Sequence, residues 1–119
     1  HAVRYEQSFE GLKPVDKVVL KKQFNDELTL KFKGNSIVVE GAVIKTGHSN
    51  DDYVASVSAF IDGQKVEDFL MPFDYITRKY EIFSKYCLES GEHTLKLVLN
   101  NPHRDFALNA TNMVIYDNE

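Results

Sequence analysis

Tryptophan is absent from this 119-residue chain, cysteine occurs once, and positive charge is in short supply, with 14 Lys and Arg against 18 Asp and Glu for a net charge of −4. Each shortage removes a class of function. A single cysteine, Cys87, cannot close an intramolecular disulfide, and "KYCLES" brings it neither a second cysteine nor a close histidine for a zinc pattern, so it reads as a small half-buried hydrophobe. The acidic balance disfavours a surface that tracks phosphates, and nucleic acid is not an expected partner. No run approaches the ~18 consecutive apolar residues of a spanning helix, so no membrane insertion is expected. No Gly-x-Ser-x-Gly elbow is present, and no paired carboxylates stand out beyond Asp51 and Asp52, whose side chains point to opposite sides of an extended chain. An enzyme is therefore not expected. The chain begins at His1 and not at methionine, and the expectation is a single domain over 1–119 excised from a longer multidomain protein.

What is present has a period of two. Leu28, Leu30 and Phe32 alternate with Thr29, Lys31 and Lys33, and Leu95, Leu97 and Leu99 alternate with Thr94, Lys96 and Val98. Such alternation describes strands with one face on a core and one in water. "SIVVEGAVI" (36–44) and "YVASVSAFI" (53–61) are rich in β-branched and aromatic residues and read as strands near the middle of sheets. The dipeptide Asp62-Gly63 supplies a two-residue hairpin, Lys33-Gly34-Asn35 and Ser90-Gly91 mark further turns, and Asn101-Pro102 closes the strand 93–99. The count is eight or nine short strands, an all-β antiparallel sandwich or jelly roll.

Two segments, 15–24 and 80–88, break the alternation. Val15, Val18, Val19 and Lys22 trace one helical face behind a capping Asp16, and Ile82, Phe83, Tyr86 and Cys87 trace another before Ser90-Gly91. Their β-prone content and their length of barely two helical turns favour strands in both places.

From residue 53 onward the order is a strand, a "DG" hairpin and a second strand in "YVASVSAFIDGQKVEDF", a crossover, another strand, "GEHTLKLVL", an irregular loop, and a last strand, "LNATNMVIYD". This order resembles the galactose-binding-like jelly-roll domains found as carbohydrate-binding modules beside glycan-active hydrolases, and it is similar to β-sandwich accessory domains of bacterial SGNH-type esterases. The resemblance implies a non-catalytic module of a secreted parent, extracellular or periplasmic, whose ligand sits in loops at one end or on one face. Its partners would be a glycan or the catalytic domain of the same chain. Such modules commonly stack a sugar ring on an exposed aromatic. Without tryptophan, the candidates are Tyr53, which follows a polar loop, and Phe73 and Tyr75 in the crossover.

Three loops hold the polar candidates. In "KTGHSNDDY" (45–53), Asn50, Asp51 and Asp52 could offer oxygens to a structural Ca2+ or to sugar hydroxyls, although no alternating Asp-x-Asp series is present and a solvated loop explains the same residues. In "MPFDYITRK" (71–79), Asp74 and Arg78 with Tyr75 make a workable hydroxyl and ring clamp. In "NNPHRD" (100–105), Asn101, His103, Arg104 and Asp105 are planar polar groups able to bond adjacent hydroxyls, with Asn100 and Asn101 expected to turn toward the other three. His93 and His103 flank a whole strand of roughly 20 Å, so they belong to opposite ends, and His93 is expected to fix a strand start. Asn109-Ala110-Thr111 fits a glycosylation acceptor, which matters only in a eukaryotic secretory setting. The competing reading is a structural β-sandwich that packs on a neighbouring catalytic domain and binds no sugar; a large exposed apolar patch would favour it.

Overall fold

The computed structural model describes residues 13–73 and 80–117, and all of its regular structure is β. The strands are β1 (Lys13–Phe24), β2 (Glu27–Lys33), β3 (Ser36–Lys45), β4 (Val54–Ile61), β5 (Gln64–Pro72), β6 (Tyr80–Lys85), β7 (Glu92–Leu99) and β8 (Phe106–Asp117). They form two four-stranded sheets, ordered β1-β8-β3-β6 and β2-β7-β4-β5, with every pairing antiparallel. The expected all-β sandwich of eight strands is what the chain adopts, and "SIVVEGAVI" and "YVASVSAFI" are both interior strands.

Alternation decides which face of each strand meets the other sheet. Leu30 and Phe32 of β2, Ala55, Val57, Ala59 and Ile61 of β4, and Leu95, Leu97 and Leu99 of β7 are buried from one side. From the other come Ile37, Val39, Val43, Phe83, Phe106, Leu108, Met113 and Ile115. Each large side chain of this set contributes about 1.5–3 kcal/mol relative to exposure. Between β4 and β5 the turn residues Asp62 and Gly63 have φ of 52° and 86°, the paired positive angles of the hairpin that Asp-Gly favours.

The two segments with helix-like spacing are strands carrying bulges. Along β6, Val39 pairs with Phe83 and Glu40 with Glu81, so Ile82 is an extra residue on one side of the ladder. Ile82 and Phe83 are consequently both buried, which mimics a helical face. Along β1 the register slips between Val19 and Lys22, Lys21 takes a φ of 49°, and Val18 and Leu20 both pack toward the core.

One expectation about packing is corrected. Cys87 is exposed, not half-buried: it follows β6 in a left-handed turn with φ 63°, while the next residue, Leu88, packs against the core and donates its amide to the Asn35 carbonyl.

Candidate functional site

The site arises from strand order. β3 pairs with β8 as far as Lys45 and Phe106, and β4 pairs with β7 as far as Val57 and Leu99. The connection from β3 to β4 and the connection from β7 to β8 therefore cross between the sheets at the same end, side by side. Residues 46–53 and 100–105 are far apart in the chain and adjacent in the fold.

Backbone bonds clamp the two loops. The amides of Thr46 and Gly47 both donate to the Asp105 carbonyl, at 2.7 and 3.2 Å. Gly47 is required by this approach, because a Cβ there would collide with the Asp105 side chain. The Phe106 amide donates to the His103 carbonyl at 3.1 Å and closes a tight turn around Arg104 and Asp105.

His103 links the loops through its ring. The Asp105 amide donates to Nδ1 at 3.1 Å, which places the ring proton on Nε2, and Nε2–H donates to Asp51 Oδ2 at 2.9 Å. The bond from His103, followed by that from the Ser49 hydroxyl, holds the Asp51 carboxyl below the usual carboxylate range. Beneath the imidazole lies an aromatic floor: it meets Phe106 and Tyr53 edge-on at centroid distances of 5.0 and 5.5 Å, and Tyr53 stacks on Phe106 at 4.8 Å.

Above this floor is an open cleft of about 720 Å3 lined by His48, Ser49, Asp51, Pro102, His103, Arg104 and Asp105. The Arg104 side chain is 92% exposed, and its Nε stands 4.0 Å from Asp105 Oδ2. The lining offers a guanidinium fork and a second imidazole as donors, with two carboxylates as acceptors. Such a set can bond adjacent hydroxyls of a polyol.

The structure sorts the expected residues. His103, Arg104 and Asp105 share the cleft with Asp51, so two loops that the sequence offers as separate candidates form one site. Asn50 and Asp52 lie on the exposed part of the same loop. Tyr53 is corrected: its ring is only 7% exposed, its hydroxyl donates to the Asn101 carbonyl at 2.9 Å, and burial raises its pKa. Its faces are taken by Phe106 and His103, so it is no stacking platform. Asn101 is corrected as well. Its Oδ1 accepts the Ser56 amide at 2.7 Å and its Nδ2 donates to the Val54 carbonyl at 2.8 Å, so the side chain extends the β4–β7 ladder past the point where Pro102 cannot donate. Asn100 likewise turns to Ser58 of β4. Phe73 packs edge-on against Phe106 at 5.1 Å. Asp74, Tyr75 and Arg78 lie outside the described residues.

His48 and Ser49 are the lining residues that the sequence did not single out. Spacing carries no sign of them, since the loop crossing that brings them to His103 depends on sheet order. His93 does serve the far end: its Nδ1 lies 2.6 Å from Asp62 Oδ2 in the β4–β5 turn and its Nε2 2.6 Å from the Glu89 carbonyl.

Asn50, Asp51 and Asp52, the residues offered for Ca2+, are all exposed in one loop. Among the described residues no three His, Cys, Asp or Glu side chains converge on a cation position, and Asp51 Oδ2 is engaged by an N–H donor.

No protein-family model matches the chain, and no curated protein matches it in sequence. Solved structures do resemble it. One is the CBM36-1 domain of a multidomain xylanase from the hindgut metagenome of Trinervitermes trinervoides, with TM-score 0.50, 16% identity, and 87% of this chain covering 86% of that one. Another is a CBM36 carbohydrate-binding module in complex with calcium and xylotriose, with TM-score 0.50, 14% identity, and coverage of 89% and 92%. A third is dimeric latent PorU from Porphyromonas gingivalis, with TM-score 0.52 and 15% identity; 89% of this chain corresponds to 11% of that much longer one. At these identities the likeness is one of fold: the chain shares an antiparallel β-sandwich with these carbohydrate-binding modules and with part of PorU.

Proposed function

We propose that this chain is a non-catalytic carbohydrate-binding accessory module of a larger secreted hydrolase, and that it holds glycan hydroxyls in the cleft between residues 46–53 and 100–105. The observation that carries the reading is the His103 bridge to Asp51, which joins two loops into one open polar cleft on a fold shared with carbohydrate-binding modules. Arg104, His48, Asp51 and Asp105 would bond the hydroxyls, and Asp74, Tyr75 and Arg78 remain a second proposed contact set. Affinity is expected to be weak, because a shallow polar site must offset the desolvation of every hydroxyl and has no tryptophan to stack on. The module is proposed to work without Ca2+. A glycan array probed with the isolated domain tests the reading: binding to a neutral glycan supports it, and silence across the array contradicts it.

A second reading is a structural domain that packs on a neighbouring domain of its parent. Three of the four large exposed hydrophobics among the described residues, Val54 at 40%, Val66 at 36% and Leu70 at 68%, lie on the edge strand β5 and its neighbour β4. Comparison of Leu70→Ser with the unaltered domain separates the two readings. Loss of cohesion with the neighbouring domain, with no glycan bound by either form, would favour the structural one.

A further inference from the structure

A second charged surface lies away from the cleft. β1 and β2 are the edge strands of the two sheets, and a turn at Asn25-Asp26 joins them, so both edges occupy one flank of the sandwich. The two strands and their turn, 13–33, contain six of the chain's eleven lysines against Asp16, Asp26 and Glu27. That is an excess of three positive charges inside a chain of net charge −4.

Five of these lysines, Lys17, Lys21, Lys22, Lys31 and Lys33, are exposed, and none forms an ion pair within the described residues. Glu27 is turned to Lys96 at 3.2 Å, and Glu92, which faces Lys33 across the ladder, forms no ion pair with it. Lys17, Lys21 and Lys22 lie on the β1 edge and Lys31 and Lys33 on the β2 edge of this flank. The β1 bulge, with Lys21 in the left-handed region, departs from the ladder within this group of lysines.

Lysines on edge strands discourage edge-to-edge pairing, and that role alone would account for a few of them. Protection does not require five exposed lysines without an ion pair spread over both edges. We infer that this flank is a docking surface for an anionic polysaccharide, a polyuronate or sulfated glycan, separate from the cleft and not dependent on it. Nucleic acid fits less well. The flank's aromatics, Phe24 and Phe32, are 7% and 6% exposed and face the core, so no ring is free to stack a base. Attraction of this kind releases counterions and weakens with salt.

The test is retention of the intact domain on immobilised polygalacturonate and on immobilised heparin at low salt, with elution by rising NaCl; the two columns distinguish carboxylate from sulfate as the preferred anion. Retention on either is expected, with the log–log salt dependence falling by about one unit for each contacting lysine replaced. Lys17→Gln with Lys33→Gln, and Lys21→Gln with Lys31→Gln, should each elute earlier, while Lys65→Gln with Lys85→Gln on the opposite flank should elute as the unaltered domain does. Paired variants keep three of the five exposed lysines, and their melting temperatures are read alongside to separate lost contacts from lost fold. No retention of the unaltered domain, retention indifferent to the paired replacements, or tighter binding to single-stranded DNA than to either polysaccharide would overturn the inference. His103→Ala should leave retention unchanged, so failure of the cleft reading and failure of this one are told apart.

Discussion

His103 Nε2 stands 2.9 Å from Asp51 Oδ2, a contact between residues 52 positions apart that joins the β7–β8 loop to the β3–β4 loop. His103 Nδ1 meanwhile accepts the amide of Asp105, so one ring fixes both the shape of its own loop and the distance to the other. Asn101, two residues earlier, makes as many bonds but directs them into the sheet. The contrast between these neighbours gives the first prediction.

Asn101→Ala should destabilise the domain by about 0.5–1.5 kcal/mol, since it removes exposed bonds to the Ser56 amide and the Val54 carbonyl at the end of the ladder. Glycan binding, measured under conditions where the variant is fully folded, should change less than twofold. A loss of binding without loss of stability, seen by urea denaturation beside calorimetric titration, would return Asn101 to the ligand.

Gly47→Ala should open the cleft. Its Cβ would collide with the Asp105 side chain where the two loops are clamped, and displacement of either loop costs on the order of 1–2 kcal/mol. The ring resonances of His103 should shift with it in NMR spectra, since Asp105 N–H donates to that ring. Unchanged His103 resonances would mean that the loops yield without separating.

Stability should fall on both sides of a plateau set by the His93 staple. Both ring nitrogens of His93 face acceptors, so only the doubly protonated ring satisfies both. Burial pulls its pKa down, but the Glu89 carbonyl and the Asp62 carboxylate outweigh burial, and the net direction is upward from 6.5. A raised folded pKa means a contribution fully present below 6.5 and lost as pH rises through the folded value. Asp62 runs the other way: the His93 bond and then the Thr94 amide lower its pKa from 3.8, so its contribution is present above 3.8 and lost as pH falls through the folded value. Thermal melts across pH should show both limbs. His93→Gln should remove the alkaline limb; an alkaline limb of unchanged steepness in that variant would reject the staple.

Added Ca2+ and added chelator should leave both the melting temperature and glycan binding unchanged. The acid side chains among the described residues do not converge, and Asp51 is held by His103. A rise of several degrees with Ca2+, by the linkage of binding to folding, would show a cation site.

The sheets were legible because alternation is local. Leu28, Leu30 and Phe32, or Leu95, Leu97 and Leu99, declare their face from spacing alone, and Asp62-Gly63 declares its turn. The segment 80–88 reads as a strand from its content, but the helix-like spacing of Ile82 and Phe83 stays unexplained in the sequence, because a bulge puts two neighbours on one face and a bulge is fixed by the partner strand. The cleft was half legible for the same reason. His103, Arg104 and Asp105 show their chemistry in the sequence, but their meeting with Asp51, His48 and Ser49 depends on β3 lying beside β8 and β4 beside β7. Tyr53 looked free because a polar loop precedes it. The Asn101 carbonyl and the Phe106 ring that bury it come from about fifty residues away.

The central claim is that the His103–Asp51 end of the sandwich binds neutral glycan. Affinity electrophoresis in gels containing xylan, β-glucan, galactan or mannan tests it most directly, with the unaltered domain run beside Arg104→Ala, Asp51→Ala and His103→Ala. The account predicts that at least one polysaccharide retards the unaltered domain, and that each variant, folded by its melt, loses about tenfold in affinity, a cost near 1.4 kcal/mol. Unretarded migration in every gel, or retardation that all three variants share in full, would contradict it.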